Sequence, residues 1–147
     1  MVPSFKYLGR VLSAADDDWS AVIHNLKKAE VVWIRMAKIL SREVERPRVY
    51  GFFFKAVVQS MLLFGVETWV VTPRMVQVLA GFQYQVVRRM TGQLTRWISD
   101  GICEYTSTEA IREEAGFDPM DTYIWRRNNT VVRYIAKQPI LDLCEAV

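Results

Sequence analysis

One histidine, two cysteines, seven glycines and five prolines among 147 residues leave several chemistries without material. His24 has no Cys, His or carboxylate at ligand spacing, so neither a zinc site nor a histidine-based triad can be assembled around it, and it reads as a solvated helix residue. Cys103 and Cys144 stand alone and read as reduced thiols of a cytosolic or nuclear protein. Gly9, Gly51, Gly65 and Gly81 are isolated, which excludes a glycine-rich phosphate loop. Residues 1–10 hold no apolar run of the kind that forms a secretory signal. Repeats and low-complexity linkers are missing as well. No catalytic residue, metal site or cofactor is therefore expected.

What the chain does have is apolar surface: 51% of its residues are hydrophobic, enough to build the core of one domain. The net charge of +3 is too small to argue for a polyanion by itself, but its distribution is uneven. Residues 1–100 carry fourteen Lys or Arg against eight Asp or Glu, whereas residues 101–147 carry five against eight. The first two-thirds suit a polyanionic partner; the last third suits water or another domain.

Periodicity predicts a mainly α fold. A strand stub at 5–8 precedes a turn, and a helix follows from about Asp17 to Arg42. Its apolar positions Val22, Leu26, Ala29, Trp33, Met36 and Leu40 recur every three or four residues, with Asp16, Asp17 and Asp18 at the start, where negative charge suits the helix dipole. Lys28, Arg35, Lys38 and Arg42 fall on the opposite face, with His24 among them. A second helix is expected from Pro47 to Phe64, apolar nearly all round and therefore central or covered. Lys55, Gln59 and Glu67 interrupt the apolar run from Val49 to Val71, so a bundle helix is expected and not a membrane span. Val66–Val71 reads as an extended connector. Thr72-Pro73 caps a third helix to Thr91, with the stripe Met75, Leu79, Phe82, Val86 and Met90, and with Arg88 and Arg89 in its last turn. A short hairpin around Ser99-Asp100-Gly101 follows, then a helix capped by Thr106 with Glu109 and closed by Gly116. A last long helix spans Pro119 to Lys137, and a tail helix follows.

Three phrases carry a family resemblance. They are Phe5-Lys6-Tyr7-Leu8-Gly9-Arg10, Leu62-Leu63-Phe64-Gly65-Val66-Glu67-Thr68-Trp69 and Val87-Arg88-Arg89-Met90-Thr91-Gly92. In this order and spacing they resemble the passage from palm into thumb of a reverse transcriptase of the non-LTR (LINE-like) retrotransposon family. Arg126-Arg127-Asn128-Asn129-Thr130-Val131 and Pro139-Ile140-Leu141-Asp142-Leu143-Cys144 extend the likeness toward the C-terminus. The resemblance implies a thumb-like helical bundle over 1–92, with a hairpin and helices over 93–147 packed on it as one unit. The family's metal-binding aromatic-x-Asp-Asp turn has no counterpart here. Asp16-Asp17-Asp18 follows no hydrophobic strand and opens a helix, so no polymerase activity is expected of this chain.

The resemblance gives the basic residues a role. A thumb packs helices against a template–primer duplex, and Lys28, Arg35, Lys38, Arg42, Arg88 and Arg89 are the residues expected to neutralise RNA/DNA phosphates. A solvated helix face is the plain alternative for the same stripe. Gln93-Leu94-Thr95-Arg96-Trp97-Ile98 is less basic than the family's loop, and Val31 interrupts the stripe in a way that a covering partner would explain. Trp97 reads as a cap on the bundle, a contact to a missing domain, or a residue that stacks on a base. The expected partners are thus an RNA/DNA duplex and a palm or fingers domain, in an intracellular setting, nuclear or cytoplasmic, without a membrane. The alternative is a helical protein-interaction or self-association module, a decayed retroelement remnant that docks through its apolar second helix.

Overall fold

The computed structural model describes backbone and side chains for residues 18–40, 48–92 and 107–137, and the backbone alone for Pro47 and four short strands. It is mainly α-helical, as the periodicity requires. Strand β1 (Ser4–Tyr7) pairs antiparallel with β2 (Arg10–Ser13), so the expected single strand stub has a second strand returning along it. Helix α1 (Trp19–Leu40) follows. Its stripe faces inward as expected: Val22, Ala29, Trp33 and Leu40 are buried, and Leu26 and Met36 pack against the core. Asp18 directly precedes α1, as expected, and has a further use. Its carboxylate accepts the Val70 N–H at 2.8 Å, which ties the start of α1 to the connector before the next long helix.

The second helical segment is built in three parts: α2 (Pro47–Phe53), a π-helical stretch (Phe54–Gln59) and α3 (Ser60–Leu62). Tyr50, Phe54, Val58 and Leu62 are buried at strict four-residue spacing. In an α-helix such a row drifts round the axis; the wider i→i+5 turns of the π stretch reduce that drift and keep the row on the core. Phe54 is fully buried on the inward side of this segment. Its ring meets Trp33 at 6.1 Å, Phe117 at 5.2 Å and Phe82 at 6.3 Å between centroids.

The segment is not central, however. Phe52, Phe53, Val57, Met61 and Phe64 point outward, so the helix lies at the edge of the bundle with half its apolar surface uncovered. Residues Arg48–Thr68 are long and apolar enough to cross a membrane by length and composition, and less than half of that stretch is buried within the protein.

Gly65, at φ +77°, ends this segment in the left-handed conformation. The expected extended connector is instead a 3₁₀ turn (Val66–Thr68) followed by open chain. Helix α4 (Pro73–Met90) starts as expected, with Thr72 Oγ1 accepting the Met75 N–H at 3.3 Å and proline in the first turn. All five residues of its predicted stripe are buried. Strands β3 (Arg96–Ser99) and β4 (Ile102–Glu104) pair antiparallel, with a register shift between Trp97 and Ser99.

Helix α5 (Thr108–Glu114) is capped by Ser107, whose hydroxyl accepts the Ala110 N–H at 3.2 Å. This replaces Thr106, one residue earlier, as the cap. Gly116 closes α5 in the left-handed conformation at φ +72°, with the Phe117 N–H bonded back to the Arg112 carbonyl. Helix α6 (Met120–Lys137) is the last described element; the expected tail helix lies outside the described residues. Ile111, Ala115, Phe117, Met120 and Ile124 join the same core as the residues of α1 and α4.

Candidate nucleic-acid interface

The basic face begins on α1. Lys28, Arg35 and Lys38 are exposed on the side opposite the buried stripe, while Arg42 lies outside the described residues. Ten residues of helix separate Lys28 from Lys38, about 15 Å along the axis.

Tertiary packing adds a cation from another helix. The last turn of α4 lies against the C-terminal half of α1, and a cleft of about 290 Å³ opens between them. Lys38 and Arg89 both line it, above an apolar floor that includes Trp33, Tyr50 and Met90. No acidic side chain is among the described residues of its wall. The floor is held from below, since the Tyr50 hydroxyl donates to the Leu40 carbonyl.

Arg88 and Arg89 therefore part company. Arg89 is exposed at the cleft, whereas Arg88 is half-buried and donates to Thr108 Oγ1 at 3.3 Å, joining α4 to α5. Arg126 and Arg127 are also engaged with the protein. Arg126 bridges Asp118 at 2.6 Å, and Arg127 bridges Glu67 at 3.3 Å. His24, expected in solvent, is partly buried with its Nε2 shielded from water. The side chain of Trp97 lies outside the described residues.

The basic face is not purely polar. Val31, Ile34 and Ile39 are 49%, 53% and 74% exposed on α1, between and beside the cations. Val31 was legible as an anomaly in the sequence; Ile34 and Ile39 were not. A second region went unrecognised. Lys27 and Lys28 overlook two adjoining clefts, each of about 430 Å³, that share Lys28 and Met61 and run between α1 and the 60–64 corner. The signal for it was the all-round apolar character of the second helix. Such a helix is either enclosed or incomplete, and this one is incomplete.

Among the described residues no group of three or more His, Cys, Asp or Glu side chains could hold a metal ion. The arrangement offers fixed positive charge over a partly apolar surface, which can bind and position. No family model, curated protein or solved structure matches the chain.

Proposed function

We propose that this chain is a non-catalytic, thumb-like module that holds an RNA/DNA duplex against the α1–α4 face, as its resemblance to non-LTR reverse transcriptases implies. The observation that carries the reading is the convergence of Lys38 and Arg89, from two helices, on one cleft beyond the Lys28–Arg35 row. Cations aligned in this way follow a phosphate backbone without reading bases. In the parent enzyme such a grip would support processive synthesis, with the metal-binding carboxylates supplied by a palm domain. Primer extension by the pure chain would overturn the non-catalytic part of the reading.

The test is a titration of a fluorescent RNA–DNA hybrid across a salt series. Binding should weaken with salt by roughly 0.9 log units per log unit for each phosphate contact. Replacing Lys28, Arg35, Lys38 and Arg89 by alanine should flatten that slope by about three to four contacts and remove most low-salt binding. An unchanged slope would overturn the assignment.

A second reading rests on a separate observation. Phe52, Phe53, Met61 and Phe64 are 67%, 41%, 39% and 49% exposed on one edge helix, an apolar surface larger than isolated side chains account for. This surface favours a protein-interaction or self-association role, with binding that depends little on salt.

A further inference from the structure

We propose that the groove between α1 and the 60–64 corner is a docking site for an acidic amphipathic helix of a partner protein. The inference rests on the second reading above and names the partner's chemistry.

The groove's floor is apolar. Val31 comes from α1, Met61 and Phe64 from the end of the second segment, and all three are part-exposed in the unpartnered chain. Its α1 wall runs from His24 to Val32, about 12 Å of helix axis. Two turns of an incoming helix match that length, so anchors at i, i+4 and i+7 would lie along it. Carboxylate is the complementary charge. Lys27 and Lys28 are exposed on the rim, and no acidic residue is among the described residues of either cleft. A helix with a basic flank would meet two lysines; one with an acidic flank would meet opposite charge while its apolar stripe covers Met61 and Phe64.

The corner itself is rigid enough to serve as a template. Asn25 Nδ2 donates to the Phe64 carbonyl at 2.9 Å, and Arg127 donates to the Leu63 carbonyl at 2.7 Å. Both bonds fix the backbone that carries Met61 and Phe64. A duplex would contact Lys28 but would leave Met61 and Phe64 unfilled, which is why protein is favoured here over nucleic acid.

The experiment uses the full chain and two fluorescein-labelled helical peptides of roughly 14 residues, about 21 Å of helix. Both carry Leu at i, i+4 and i+7; one is flanked by Glu, the other by Lys. Phosphatidylserine vesicles serve as a third probe. The acidic peptide should bind at least about tenfold more tightly than the basic one. Met61→Glu should abolish binding, with circular dichroism confirming that the variant is folded. The double substitution Lys27→Glu, Lys28→Glu should invert the preference between the peptides. Equal binding of both peptides would overturn the acidic-helix assignment while leaving apolar docking in place. Failure of both to bind would overturn the proposal and leave the second reading to self-association through Phe52 and Phe53, which line neither cleft. Binding of vesicles alone would assign the groove to a lipid surface instead.

Discussion

Arg127 on α6 donates to the Leu63 carbonyl at 2.7 Å and sits 3.3 Å from the Glu67 carboxylate. One guanidinium therefore clamps the Leu62–Trp69 corner from a helix sixty residues away. Most of that corner has a structural reason. Leu62, Leu63, Val66 and Trp69 are buried, Gly65 supplies the left-handed residue that ends the helix, and Glu67 receives Arg127. The phrase that carried the family resemblance is thus a structural joint.

Removing the clamp should cost stability. Arg127→Ala breaks the bond to the Leu63 carbonyl and leaves Glu67 without its cation, so a loss of about 1–3 kcal/mol is expected in urea unfolding. Glu67→Gln should cost less, roughly 0.5–1 kcal/mol, because both partners of that ion pair are partly open to solvent. If the two losses were equal, the carbonyl bond would contribute nothing and the clamp would be only an ion pair.

Two helical glycines should respond in opposite directions to alanine. A Cβ at Gly51 would lie 2.4 Å from the Ala115 carbonyl oxygen, a backbone atom, so α2 approaches the end of α5 as closely as it can. Gly51→Ala should destabilise by about 1–3 kcal/mol, the usual cost of overpacking. Gly81 in α4 has nothing within 4 Å of the corresponding position. Gly81→Ala should stabilise by roughly 0.5–1 kcal/mol through helix propensity. Thermal melts of the two variants separate the effects, and a stabilised Gly51→Ala would contradict the close approach.

The helices were legible in the sequence because their signals are local. The α1 and α4 stripes, the Thr72 cap and the helix end at Gly116 depend on neighbours within a few residues. What escaped depends on tertiary choices. Periodicity cannot say that the second helix lies at an edge, since an apolar helix looks the same whether enclosed or half-uncovered. Nor can it say that Asp18 bonds across to Val70, or that Arg88 turns to Thr108 while its neighbour Arg89 faces the cleft. For the candidate interface, the α1 row was readable from 100° spacing. The pairing of Lys38 with Arg89 was not, because it is made by helix packing.

Tyr123 gives the fold a pH dependence at the alkaline end. Burial pushes its phenol above the ordinary value of 10.0, against the opposing bond from the Asp118 N–H to its oxygen. A raised folded pKa means that the native state holds this proton more tightly than the unfolded chain does. The associated stability is present in full below the unfolded value near 10 and is lost as pH rises through the folded one. Tyr123→Phe removes the titrating group and leaves the Asp118 N–H without its acceptor, so it should cost about 1 kcal/mol at neutral pH. Urea midpoints of the parent and the variant, compared from about pH 8 to about pH 11, isolate this group, because the lysines titrate in both proteins. The gap between the two should narrow as pH rises; a gap that stays constant across that range would mean the Tyr123 proton is held no more tightly in the fold than outside it.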